Sequence, residues 1–225
     1  MKKLVTAACA LVAASAFAVE SANTVGYEVQ SYEGPRTQSV RFQGVGSNGS
    51  AVNITNVLDG TLVADYSDTI EIYDGETGDF TAYMWDTETW FDALTDDPIT
   101  ISVVPGNAFI VTASEWRFAG EVAPDGYQHQ IESGVPTLVG SAYPVATTLA
   151  HYDWSSIADY NDTLEIYDGE TGDFTAYMWD TTQWFDALTD DPIAMTTRAD
   201  DGFILTTGLD TITQHINVVA VQEGE

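Results

Sequence analysis

The sequence predicts an all-β protein: two tandem homologous units, β-sandwich or barrel-like, behind a cleaved signal peptide. Three observations carry this. Residues 65–99 and 159–193 are near-identical at an offset of 94, differing only at Ser67/Asn161, Ile70/Leu164, Glu88/Thr182 and Thr89/Gln183. A period that long marks a duplicated domain rather than a solenoid of short repeats. Residues 69–73 and 80–85 alternate in polarity with period two, as half-buried strands do. Gly, Asp and Asn punctuate segments rich in β-branched and aromatic residues, which is how strands and turns alternate.

From the N-terminus, Met1, Lys2 and Lys3 form a short basic start, and residues 4–17 an alanine-rich apolar stretch. Ala16-Phe17-Ala18 then supplies a small-x-small cleavage pattern, so residues 1–18 read as a signal peptide. The apolar run is shorter than the ~20 residues a membrane span requires. A lipoprotein reading of Cys9 lacks the usual leucine three residues earlier, where Thr6 stands.

The first β unit is expected over 19–122 and the second over 123–225, with the boundary near Gly120 to Gly126. Strands are expected at 40–43, 51–57, 69–73, 80–85, 99–104 and 108–112. Residues 74–79 form a hairpin loop whose glycines can take the positive φ of a tight turn, and the hairpin recurs over 164–179. Residues 90–94 read as one helical turn. Pro98 and Pro192 should begin strands, since proline disfavours strand interiors. At the same offset Gly46-Ser47 falls on Gly140-Ser141, Asp59 on Asp153, and Phe109-Ile110 on Phe203-Ile204. Val25-Gly26 falls on Ala119-Gly120, and a last strand is expected over 212–221. A similar strand would then open the first unit, join the two and close the second.

Cleavage removes the single cysteine and both lysines. No disulfide then supports the mature chain, despite an oxidising destination, but units of about 90 residues are large enough for cores of their own. Four arginines, Arg36, Arg41, Arg117 and Arg198, face all 35 acidic residues, a formal net charge of −31. Such a chain does not attract nucleic acid or an anionic membrane. The expected partners are cations, cell-envelope components, neutral glycans or copies of itself. The expected location is secreted: periplasmic, cell-surface or extracellular. The acidity also has a plainer use, in keeping an exported protein soluble.

Two constellations invite a functional reading. Asp74, Glu76 and Asp79 surround a glycine turn, and Asp168, Glu170 and Asp173 repeat it. Ca²⁺ takes six to eight oxygen ligands, and it is the one cofactor these loops invite. The EF-hand spacing is missing, and the preferred alternative is a solvated turn using Asp and Gly for backbone reasons. The second constellation is aromatic: Tyr73, Tyr83 and Trp85, with their copies Tyr167, Tyr177 and Trp179. Alternation within each strand assigns the face of Ile70 and Ile72 to the core and groups these rings on the other face. Rings on a half-exposed sheet can stack on sugars. The alternative is a second packed layer or a contact between the units.

Nothing points to catalysis. His129, His151 and His215 lack metal-ligand spacing, and no GxSxG element or mature cysteine supplies a nucleophile. A glycosidase needs only two carboxylates, and among 35 acids a pair is always found. Asn53-Ile54-Thr55 and Asn161-Asp162-Thr163 match a glycosylation triplet, by chance as easily as by design.

The opening Glu20-Ser21-Ala22-Asn23-Thr24-Val25-Gly26-Tyr27 after an alanine-rich leader resembles a group of uncharacterised exported bacterial proteins. So do the hairpins Tyr73-Asp74-Gly75 with Tyr83 and Trp85, and Tyr167-Asp168-Gly169 with Tyr177 and Trp179. That resemblance implies repeated strand–turn–strand units and carries no activity, cofactor or catalytic residue. The expected function is a structural or adhesive β protein of the cell envelope, not an enzyme. A carbohydrate-binding module using the hairpin aromatics is the alternative, and a glycan-acting enzyme the remote one.

Overall fold

The computed structural model describes residues 25–60, 63–64, 66–157, 162–196 and 202–216. The expected signal peptide, the opening up to Thr24 and the final strand beyond Ile216 lie outside them. The first half holds β1 (Val25–Ser31), β2 (Arg36–Ser39), β3 (Val52–Asn53), β4 (Thr69–Asp74), β5 (Asp79–Trp85), β6 (Trp90–Asp92), β7 (Pro98–Ile99), β8 (Ser102–Val103), β9 (Ala108–Thr112) and β10 (Glu115–Glu121). The second holds β11 (Tyr127–Gln130), β12 (Thr137–Val139), β13 (Thr163–Asp168), β14 (Asp173–Trp179), β15 (Trp184–Asp186), β16 (Phe203–Thr206) and β17 (Thr211–Gln214). The fold is all-β, as predicted. Among the described residues no helix is long and apolar enough to cross a membrane.

A six-stranded sheet runs β2-β9-β4-β5-β6-β7, and a five-stranded sheet runs β12-β16-β13-β14-β15. Three two-stranded ribbons, β1-β10, β3-β8 and β11-β17, complete the pairing. The named ladders are antiparallel and stay within 25–121 or 127–216; an isolated bridge, Asn107 to Val139, crosses between the halves.

Register divides the aromatics differently from the sequence expectation. The turn pairs Tyr73 with Phe80 and Ile70 with Tyr83, and the second hairpin pairs Tyr167 with Phe174 and Leu164 with Tyr177. Directly opposed residues share a face. Tyr83 and Trp85 therefore join Ile70 and Ile72 on the core side, while Tyr73 goes to the other face with Phe80. Each half buries its own core: Ile70, Trp85, Trp90, Val111, Trp116 and Phe118 in the first, and Trp154, Leu164, Trp179, Trp184, Phe203 and Leu205 in the second.

Between the halves Ala108, Leu138 and Ile204 bury a smaller cluster, flanked by Tyr73, Phe80 and Phe174. Phe80 and Phe174, the same position of the two hairpins, stack with centroids 6.2 Å apart and planes 18° apart. The contact is reciprocal. A Cβ on Gly75 would lie 1.9 Å from the carbonyl oxygen of Pro136, and one on Gly169 would lie 2.7 Å from that of Pro35. Only glycine lets each hairpin tip seat against the chain entering the other half's first sheet strand.

Several expected elements shift. Of residues 40–43 only Gln43 bridges; the strand is β2, just before. Its buried polar side chains are paired: Tyr32 Oη–H donates to Gln38 Oε1 at 2.8 Å, and Ser39 Oγ accepts the Ser141 N–H at 3.0 Å. Residues 51–57 split into β3 and a 3-10 turn, Ile54–Asn56, which Asn53 caps by accepting the Thr55 N–H at 3.1 Å. Residues 99–104 split between β7 and β8. Residues 90–92 form β6, not a helical turn, because Trp90 and Phe91 pair with Trp85 and Met84. Pro98 begins β7, whereas Pro192 makes an isolated bridge to Phe185. Gly46-Ser47 is not the counterpart of Gly140-Ser141: Gln38 faces Phe109 as Val139 faces Phe203, so Gly140 matches Ser39.

Candidate functional site

The acidic loops are turn devices. Asp74 Oδ1 accepts the N–H of Glu76 at 2.9 Å and of Thr77 at 3.3 Å; the Gly78 N–H closes onto the Asp74 carbonyl at 2.8 Å. Gly78 has φ +78, which favours glycine. Asp168 does the same with the Glu170 N–H at 2.8 Å and Gly172 at φ +80. The next loops repeat the device. Asp92 Oδ1 accepts from Leu94 and Thr95, with Asp96 at φ +58; Asp186 accepts from Leu188 and Thr189, with Asp190 at φ +59. Amide hydrogen bonds from Leu188 and Thr189 hold the Asp186 carboxyl below its ordinary value. This is an Asx-turn, and it recurs wherever the sequence reads Asp-x-x-Thr followed by Gly-Asp or Asp-Asp.

The structure does not bring Asp74, Glu76 and Asp79, or Asp168, Glu170 and Asp173, together as a ligand set. Their first carboxylate is engaged by backbone, and among the described residues no group of three or more His, Cys, Asp or Glu could hold a metal ion. Thermal melts in millimolar CaCl₂ and in NaCl at matched ionic strength are therefore expected to give equal midpoints. A specific site would instead raise the CaCl₂ midpoint by mass action.

The hairpin aromatics divide three ways. Trp85 and Trp179 are 5% and 6% exposed, inside the two cores. Tyr83 and Tyr177 are half-buried against those cores. Tyr73 and Tyr167 face the opposite half. Burial first, then the nearby carboxylate of Glu165, raises the Tyr73 hydroxyl's pKa; burial first, then Glu71, raises that of Tyr167. Each hairpin borders a groove against the other half. One, about 520 Å³, is lined by Tyr73, Tyr83, Glu76, Asn107, Glu132 and Pro136. The other, about 500 Å³, is lined by Pro35, Arg36, Tyr167, Glu170 and Gly202.

The histidines stand apart from these grooves. His151 Nδ1 accepts the Thr148 N–H at 3.0 Å and caps the turn Leu149–His151. His129, 1% exposed on β11, has Nδ1 3.1 Å from the Pro105 carbonyl oxygen, and burial lowers its pKa to about 4. His215 Nδ1 lies 3.6 Å from Asp125 Oδ1.

One constellation escaped the sequence reading. A cavity of about 550 Å³ in the second half is lined by Tyr152, Asp153, Trp154, Trp179, Met195 and His215, among others. The signal was present: residues 152–154 read Tyr-Asp-Trp where residues 58–60, one offset earlier, read Leu-Asp-Gly. Compared with family models, curated proteins and solved structures, the chain matches none of them.

Proposed function

We propose that this chain is a secreted or cell-surface structural and adhesive β protein that assembles with a second copy through β1. The observation that carries the reading is the character of that strand. Among the described residues β1 has one strand partner, β10, so its outer edge offers unpaired backbone. Val25, Tyr27 and Val29 point outward and are 62%, 75% and 43% exposed. Soluble proteins usually blunt such an edge with lysine, proline or a bulge; β1 carries no lysine and no proline. Antiparallel self-pairing centred on Glu28 sets Tyr27 against the partner's Val29, a contact that closes with two-fold symmetry. Arg41 forms an ion pair with Glu28, which tempers the meeting of the two glutamates.

Burial of Trp85 and Trp179 withdraws both rings from the hairpin surface, which supports this structural role. The resemblance of the opening and hairpins to exported bacterial proteins agrees with the location. The exported protein is expected to begin at Val19, read by N-terminal sequencing. Sedimentation velocity of that mature form is expected to show a dimer strengthened by salt, which screens the net charge. Tyr27→Lys is expected to leave a folded monomer. A wild-type protein that stays monomeric at millimolar concentration and high salt would overturn the assembly reading.

A further inference from the structure

We infer that the aromatic cavity of the second half is a binding site for a neutral sugar ring. The inference is independent of assembly through β1. Three largely buried rings, Tyr152, Trp154 and Trp179, 3%, 6% and 6% exposed, form its apolar wall. Tyr152 and Trp154 stack with centroids 5.4 Å apart and planes 29° apart, and Trp154 and Trp179 both meet Trp184 edge to face, at 5.3 and 5.2 Å. The Trp154 indole N–H donates to the Leu149 carbonyl at 2.7 Å, so that ring is held in place. Met195 adds a polarisable thioether to the lining.

The mouth is polar. Asp153, Ser155, Thr181, Thr182 and His215 line it. Asp153 Oδ1 already accepts the Ser155 N–H at 2.9 Å, which orients the carboxylate. A sugar ring presents an apolar C–H face beside hydroxyls at its edge, so it matches an aromatic wall with a carboxylate and hydroxyl rim. A cavity of about 550 Å³ falls within the range of small-molecule sites. The net charge of the chain selects against anionic sugars.

The first half shows that the scaffold does not require this wall. Leu58 bridges Phe118 as Tyr152 bridges Gln214. The Asp59 N–H donates to Arg117 at 2.8 Å as the Asp153 N–H donates to Thr213 at 2.9 Å. The residue after each aspartate is Gly60 in one half and Trp154 in the other. A Cβ on Gly60 would lie 3.3 Å from Trp85 Cζ2, so there the hairpin tryptophan closes over the glycine. Ile101 and Met195 stand one offset apart, and each carbonyl accepts an N–H from the 3-10 turn of its own half, that of Ile54 and of Ala150. Two rings and a thioether thus replace leucine, glycine and isoleucine on one frame. Tyr152 and Trp154 pack in the second core as Leu58 does in the first, and in the second half they also line the cavity.

Titration calorimetry and tryptophan fluorescence with a panel of neutral sugars test this: glucose, galactose, mannose, N-acetylglucosamine and their short oligomers. At least one is expected to bind saturably at one site per chain. Trp154→Gly, which restores the first half's residue, is expected to abolish binding. Asp153→Asn leaves the core untouched and is expected to weaken binding at least about tenfold, the loss of a charge-assisted hydrogen bond, with no change in thermal midpoint. Silence across the panel, binding indifferent to Asp153→Asn, or binding of indole but no sugar would each overturn the assignment.

Discussion

Trp85→Ala and Trp179→Ala are each expected to cost about 3–5 kcal/mol of folding stability, the usual penalty for emptying a tryptophan site in a core. Both rings sit at the end of the second hairpin strand, and each packs on the first aromatic of the next strand. Trp85 meets Trp90 at 5.3 Å, and Trp179 meets Trp184 at 5.2 Å. The surroundings differ in one respect. Trp85 lies beside Gly60, whereas Trp179 lines the open cavity. The second substitution is therefore expected at the lower end of the range, since its void joins space already open. Urea unfolding of each variant measures this. A cost near zero at Trp85 would contradict its burial and restore the hairpin as an exposed platform.

The second large effect depends on pH. His129 is buried where β11 of the second half meets Pro105 and Gly106 of the first. A Cβ on Gly106 would lie 2.9 Å from its Nδ1, and among the described residues Nε2 has no hydrogen-bond partner. Desolvation lowers its pKa from 6.5 to about 4. Between those values the unfolded chain binds a proton that the folded chain refuses, so stability rises with pH across that window. His129 alone should contribute about 3 kcal/mol, fully present above 6.5 and lost as pH falls through about 4. NMR titration is expected to find its imidazole neutral at pH 5. In His129→Gln the stability difference between pH 4 and pH 6.5 should lose this contribution, leaving that of the carboxylates. An imidazole titrating near 6.5 would show that the seam is open to water.

The hairpins and β9 were legible because their signals are local. Alternation, a glycine turn and β-branched residues all agree over 69–85, and 108–112 is a short apolar run with β-branched residues. What failed was pairing between segments. The sequence of β2, Arg-Thr-Gln-Ser, reads as loop; it is a strand because Tyr32, Ser141 and Gly202 satisfy its polar side chains from far along the chain. Trp90-Phe91-Asp92 has no strand signature of its own and becomes one by pairing with β5. Alternation placed alternate residues of β5 on opposite faces correctly, but it could not say which face of β5 adjoins which face of β4. That follows from turn register, and it moved Tyr83 and Trp85 into the core. The acidic loops are hairpin turns, and backbone hydrogen bonds to Asp74 and Asp168 account for the first acid of each. The cavity is not legible from the repeat, because Tyr152, Trp154 and Met195 of its lining stand where the first half has Leu58, Gly60 and Ile101.

The reciprocal seating of the hairpins bears on the order in which the molecule can be completed. The seat at Pro35 receives the hairpin around Gly169, and the seat at Pro136 receives the one around Gly75. During synthesis the Pro35 seat is finished first, while only the first hairpin exists, and that hairpin carries nearly the same side chains as its proper occupant. A chain folding as it emerges is thus offered the wrong partner before the right one. Two half-made chains can also trade hairpins and lock into a swapped pair. A chain held unfolded until both hairpins and both seats exist escapes this ambiguity. Delivery across a membrane as an extended polypeptide would impose that delay, so the export expected from the leader and the cross-braced fold fit one another as kinetics.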